Sequence, residues 1–318
     1  MDTPQRKPSG KTPPPGARPT GKPLTKKQRR NQAAVRSVAL SRRPPWQSPT
    51  VITSVSVAIV AVVLVVVVLI NSFGGPAAGS TTPISAQVAS ILLHPTPSVI
   101  STVGSGGQPG EMVKLPGDTV LKNASGKPMI VYVGAEYCPF CAAERWVMIY
   151  WLSQFGTFKG LTQIESSSTD VYPDTNTFTF HKATYTSSYV DFSPNEVLDR
   201  DQNPLETPSA QVTALFTKYG TPPYTSTTGG FPFIDIAGLY TLYNTSYSPQ
   251  ILANLTWQQI ANKLKDPTDP VTQAIVGNAN IMTAATCIAT GDLPASVCTT
   301  PTIQAIEPSL KALKTPTS

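Results

Sequence analysis

The sequence predicts an α/β domain, a central mixed sheet flanked by helices, preceded by one transmembrane helix. Three observations predict it. Met129–Val133 is an apolar, β-branched run that passes through small residues into Cys138-Pro-Phe-Cys141 and then an alanine-led segment of helical period. A strand therefore feeds a helix, with two cysteines at the junction. Far downstream, Gly229–Tyr243 reads as a strand with a proline near its start and its hairpin partner. Val51–Ile70 holds twenty residues without a charge, which at about 1.5 Å rise per residue cross the roughly 30 Å hydrocarbon core once.

Taken in order, residues 1–49 hold twelve of the 24 Lys and Arg and a single acid, Asp2. The overall charge of +6 therefore describes this tail, since the rest of the chain is net acidic. Its Pro, Gly, Lys and Arg content without apolar period reads as disorder. Lys26-Lys27-Gln-Arg29-Arg30 could touch nucleic acid, but Arg42 and Arg43 flank the apolar run, and a positive-inside flank accounts for the charge without it. No nucleic-acid partner is expected. Residues 50–71 read as an uncleaved signal anchor; a cleaved signal peptide is the rival, opposed by the long leading region and the length of the apolar run. The tail is then cytoplasmic and the rest extracytoplasmic, in a single-pass protein of the cell membrane. Residues 72–110, with Gly74-Gly75-Pro76 and Ser105-Gly-Gly-Gln-Pro-Gly110, read as a flexible linker in which Val88–Leu93 can dock as a small helix.

The folded domain is expected over 111–318. Asn123–Lys127 is a turn into the Met129–Val133 strand. The following helix runs through Trp146, Ile149 and Tyr150 to a stop at Gly156. Thr177–His181 and Thr184–Val190 alternate like strands. Thr207-Pro208 opens a helix to Gly220, with Thr as N-cap and Pro at the first position. Helices around Trp257–Leu264 and from Asp269-Pro270 to Gly291 close the domain.

The chemistry concentrates at the dithiol. First-turn amide N–H groups and the positive helix end favour a thiolate on Cys138, and such a pair exchanges disulfides. Pro139 fits the first helical position. Glu136 is a proton acceptor if it lies close, or else a solvated loop carboxylate; Glu144 and Arg145 read as exposed or half-buried helix charges, with Glu144 one turn past Cys141 and able to take its proton. Cys287 and Cys298 are read as a structural disulfide; a second redox pair relaying electrons and a four-cysteine zinc site are the alternatives. His94 and His181 are isolated, and no metal or other cofactor is expected.

The order strand, Cys-x-x-Cys, helix, late Phe-Pro-Phe strand, hairpin and helix resembles the thioredoxin fold. Ala135-Glu-Tyr-Cys138 looks like the Ala-Glu-Trp-Cys of thioredoxins, and Cys-Pro-Phe-Cys like glutaredoxin-type and bacterial disulfide-oxidase centres. Gly134–Trp146 with Thr177-Phe-Thr-Phe, Trp257-Gln-Gln-Ile and Ala279-Asn-Ile-Met-Thr-Ala is similar to an uncharacterised family of membrane-anchored thioredoxin-like proteins, over about residues 84–300. The resemblance implies that Cys138 is the exposed nucleophile, Cys141 the resolving thiol and Pro232 a cis proline opposite them. Two departures stand out. Tyr132 occupies the position where thioredoxins carry a buried acid, and about 160–223 form a large insertion between the dithiol helix and the Pro232 strand.

The expectation is a membrane-anchored extracytoplasmic thiol-disulfide oxidoreductase acting on protein clients with thiols or disulfides and served by an unidentified redox partner. Tyr137, Phe140 and Phe231 supply an apolar collar. The rival is a non-catalytic thioredoxin-like binding or assembly module of the cell envelope with structural disulfides.

Overall fold

The structure is a computed structural model and describes residues 82–107 and 112–317. The basic tail and the expected span at 50–71 lie outside the described residues. Among the described residues no helix is long and apolar enough to cross a membrane.

In chain order the elements are β1 (Thr82–Pro83), α1 (Ala86–Leu92), α2 (Pro97–Val103), β2 (Val113–Lys114), β3 (Met129–Gly134) and α3 (Pro139–Leu152). Four short strands follow: β4 (Gly156–Lys159), β5 (Thr162–Glu165), β6 (Asn176–Thr179) and β7 (Thr184–Ser187). Then come β8 (Asp191–Glu196), α4 (Ala210–Tyr219), β9 (Phe233–Ile236) and β10 (Tyr240–Tyr243). The chain closes with α5 (Trp257–Lys263), α6 (Pro270–Thr290), α7 (Ala295–Cys298) and α8 (Pro301–Lys311).

A five-stranded mixed sheet, in the order β2-β10-β9-β3-β8, organises the domain. β3 runs parallel to β8, from Met129 opposite Asp191 to Gly134 opposite Glu196, and antiparallel to β9. Its two-residue alternation divides the core. Ile130 and Tyr132 join the large cluster formed with α3 and α6, while Met129, Val131 and Val133 join Val212, Phe216 and Tyr219 of α4. Helices therefore cover both faces, and every residue of β3 is buried. The two longest helices meet on one face, where Trp151 Nε1 donates to Thr286 Oγ1 at 3.0 Å. Both ends of α6 follow the sequence signals: Asp269 accepts from Val271 N at 2.8 Å, and Gly291 closes the helix at φ 67°.

Several expectations are corrected. Residues 82–103, expected within a flexible linker apart from a small docked helix at Val88–Leu93, form that helix as α1 and also β1 and α2, with Val88, Leu92, Val99 and Val103 buried in the large cluster. α3 ends at Leu152 with Ser153 as cap, not at Gly156. Gly156 instead opens β4, where a Cβ would lie 2.5 Å from the Thr186 carbonyl oxygen across the β4–β7 pair. α4 starts two residues later than expected because Ser209, not Thr207, caps it, accepting from Val212 N at 3.3 Å. Within residues 160–223, expected as an insertion, β8 is a strand of the central sheet and α4 covers one face of that sheet. What stands outside that frame is the segment of β4–β7, folded as a two-stranded β4–β7 sheet and a three-stranded sheet in the order β1-β5-β6.

Cys287 and Cys298 form a disulfide with Cα atoms 5.4 Å apart, tying the last turn of α6 to α7. Both residues are fully buried. This pairing takes them out of any four-cysteine zinc site.

Candidate functional site: a dithiol over a buried ion pair

The dithiol sits where β3 hands over to α3. Cys138 is the N-cap of α3, at φ −76° and ψ 120°, and its sulfur accepts the Cys141 backbone N–H at 3.3 Å. A thiol thus does what a serine or aspartate usually does at an N-cap, and a thiolate does it better because the bond becomes charge-assisted. Pro139 occupies the first helical position, where a missing N–H leaves no bond unmade. Both thiols are free.

Cys138 is only 6% exposed and Cys141 is fully buried, so the nucleophile expected to be exposed is nearly covered. On one side of it the Phe231 carbonyl oxygen lies 3.9 Å from Cys138 Sγ, and the Phe231–Pro232 peptide is cis. Tyr137, Phe140 and Phe231, all half-buried, pack around the two cysteines together with Leu198. Phe140 is held edge-on against Tyr172 and Phe231 stacks on Phe216.

The two thiols are driven apart electrostatically. The hydrogen bond from Cys141, joined by the backbone N–H and the Arg145 cation, holds the Cys138 thiol below its ordinary range despite burial. Burial pushes the Cys141 thiol well up. Of the two sulfurs, Cys138 is the more acidic and Cys141 the less. Burial also pushes the Tyr137 phenol up to about 12.

Beneath the cysteines lies an ion pair with both side chains fully buried. Arg145, one turn past Cys141, donates through Nε to Glu196 Oε1 at 2.8 Å and through Nη2 to Glu196 Oε2 at 2.6 Å. Nη2 also donates to the Ala135 carbonyl at 2.7 Å, tying down the loop before the dithiol. Glu196 is brought there by the parallel pairing of β8 with β3. Its backbone N–H donates to Glu206 Oε2 at 2.8 Å, and Glu206 Oε1 meets His181 Nδ1 at 2.6 Å. Among the described residues no group of three or more His, Cys, Asp or Glu side chains is placed to hold a metal ion.

Residues 120–288, more than half of the chain, match the family described as Domain of unknown function (DUF929). The chain belongs to this family. The DUF929 span runs from just before β3 nearly to the end of α6, so it contains the dithiol, the Arg145–Glu196 pair and Pro232, and leaves Cys298 outside. No curated protein and no solved structure matches the chain.

Of the residues singled out from sequence, this DUF929 domain gathers Cys138, Cys141, Tyr137, Pro139, Phe140, Phe231 and Pro232 at one end of the sheet. Tyr132 lies below them with its hydroxyl buried and without a partner. Glu136 is buried rather than solvated, at 4% exposure. Burial raises its carboxyl while the Thr179 hydroxyl opposes the rise, and it lines a polar cavity of about 300 Å³ with Glu165, Arg200 and Gln163. Glu144 is fully buried, not a surface charge; it accepts from Ser246 N at 2.7 Å, Ser246 Oγ at 2.8 Å and Thr245 Oγ1 at 3.2 Å. That spends its carboxylate on anchoring the segment after β10. Sequence reasoning missed Glu196, Glu206 and the burial of Arg145. One signal was available. The run Ala142-Ala-Glu-Arg-Trp-Val-Met-Ile-Tyr-Trp-Leu152 leaves no polar face, and a helix apolar all round is buried, so its charges require partners.

Proposed function

We propose that this DUF929 protein is a membrane-anchored, extracytoplasmic thiol-disulfide oxidoreductase with a thioredoxin-like domain. The observation that carries the reading is the asymmetry of the dithiol: Cys138 caps α3 and accepts the Cys141 N–H, while Cys141 is sealed beneath it. The fold supports it. A strand, a dithiol at a helix start, the late Phe231-Pro232 strand with its hairpin partner and a closing helix keep the order on which the thioredoxin resemblance rests, and β8 adds a parallel strand beside the first. Anchoring is inferred from Val51–Ile70 and its basic flank.

In the oxidising direction a client thiolate attacks Cys138 Sγ of the Cys138–Cys141 disulfide. The S–S bond breaks, and Cys141 leaves with the electron pair as a thiolate. The client's second thiolate then attacks its own sulfur in the mixed disulfide and releases Cys138. The client is oxidised by two electrons and the dithiol is reduced by two. In the reducing direction Cys138 attacks a client disulfide and Cys141 resolves it. Tyr137, Phe140 and Phe231 form the apolar collar that an extended client chain meets.

Replacing Cys141 by Ser blocks resolution, so the full chain carrying Cys141→Ser is expected to accumulate client adducts on Cys138 that dithiothreitol releases. The 6% exposure of Cys138 favours the rival, a non-catalytic assembly module. Absence of any covalent adduct from Cys141→Ser protein supports that rival.

A further inference from the structure

Two polar atoms below the dithiol have no use in the site as described. Tyr132 Oη and Arg145 Nη1 are buried and have no hydrogen-bond partner, although both residues are 0% exposed. Each such orphan is destabilising, and two together call for a compensating role.

Their side chains adjoin. The guanidinium carbon lies 5.9 Å from the centre of the Tyr132 ring. The hydroxyl reaches over Gly134, where a Cβ would stand 2.0 Å from Tyr132 Oη, so any other residue at 134 displaces it. Gly134 pairs with Glu196, which holds the far edge of the same guanidinium. Both orphans therefore lie on the α3 side of the sheet, under the turn in which Cys141 precedes Arg145 by four residues on one helix face.

We propose that Tyr132 Oη and Arg145 Nη1 form a donor pair kept free for the Cys141 thiolate, making Tyr132 a positioning residue of the dithiol. The inference rests on the thiol-disulfide reading and deepens it. When a client thiolate bonds to Cys138 and the S–S bond breaks, the electron pair departs on Cys141. No proton leaves Tyr132: burial, against the opposing Arg145 cation, holds its phenol well above the ordinary range, so it stays a donor.

The titratable and charged groups around Cys141 are Cys138 and Arg145 on α3, Tyr132 on β3, Glu136 and Tyr137 between them, and Glu196 on β8, with His181 and Glu206 beyond. A test must leave all but the hydroxyl unchanged. In full chain carrying Cys138→Ser, the thiolate absorbance of Cys141 is titrated with and without Tyr132→Phe. The added substitution is expected to raise the midpoint by about one pH unit, a tenfold weaker acid, with no fall in the thermal unfolding temperature. Gly134→Ala, which drives a methyl onto the hydroxyl, is expected to shift the midpoint in the same direction. An unchanged midpoint in both variants overturns the donor pair, and so does a drop in unfolding temperature for Tyr132→Phe, which would mean the hydroxyl is paired. The titration reads Cys141 whether or not clients are oxidised. Failure of client capture by Cys141→Ser therefore overturns the redox reading separately.

Discussion

Replacing Arg145 by Met removes the cation beneath the dithiol while keeping much of its volume. The expected loss follows from the partners left behind. Glu196 forfeits bonds of 2.8 Å and 2.6 Å and keeps only the Phe180 N–H at 3.4 Å. An uncompensated carboxylate at 0% exposure costs about 3–5 kcal/mol. The Ala135 carbonyl also loses its 2.7 Å bond, a further ~1 kcal/mol. A total near 4–6 kcal/mol is a large share of the ~5–15 kcal/mol typical of a domain. Urea unfolding of the full chain, with the Cys287–Cys298 disulfide intact, measures it as a lower midpoint at constant slope. Arg145→Met/Glu196→Leu is expected to recover most of the loss, because a buried pair replaced by apolar residues is often neutral. Less than about 1 kcal/mol of destabilisation by Arg145→Met, or no recovery in the double variant, would refute the reasoning.

Two further predictions concern other parts of the domain. Asp235 is 0% exposed with Oδ2 unpaired, and burial raises its carboxyl to about 7, opposed by the Gly238 N–H. A folded value above the unfolded one means that the folded state holds the proton longer, so stability is fully present near pH 4 and declines as pH rises to about 7, by up to ~4 kcal/mol. Urea midpoints across that window should fall, and Asp235→Asn should flatten the decline; an unchanged slope in the variant assigns the effect elsewhere. Removing the Cys287–Cys298 disulfide with paired serines is expected to cost about 2–3 kcal/mol for a loop this short. Client capture through Cys138 should persist in that variant, and its loss would revive the electron-relay reading of the pair.

How much of this was legible in the sequence depends on how local each cause is. The β3–α3 junction was legible because an apolar run, a Cys-Pro at a helix start and a helical period lie within eighteen residues. The β9–β10 hairpin and the two ends of α6 announced themselves through turn and cap residues. β8 did not. Asp191-Phe-Ser-Pro-Asn-Glu196 has no apolar alternation and carries a proline, yet it pairs with β3 along its full length, because a proline is tolerated in a strand at the sheet edge. Missing it assigned a core strand to the insertion. It also hid Glu196, whose meeting with Arg145 fifty-one positions away is a product of that pairing alone. The orphaned hydroxyl of Tyr132 was beyond sequence reasoning for a similar reason, since its place is set by Gly134 on its own strand and Arg145 on the helix above.

The reduction potential of the Cys138–Cys141 pair in the full chain tests the central claim most directly. Equilibration in graded glutathione buffers, followed by thiol blocking and mass measurement, distinguishes the two cysteine pairs. The account predicts a single two-electron transition on Cys138 and Cys141 above about −300 mV, with Cys287–Cys298 oxidised throughout. A Cys138–Cys141 potential far below about −300 mV would contradict it, because such a disulfide resists the thiol pool and serves only as a structural bond.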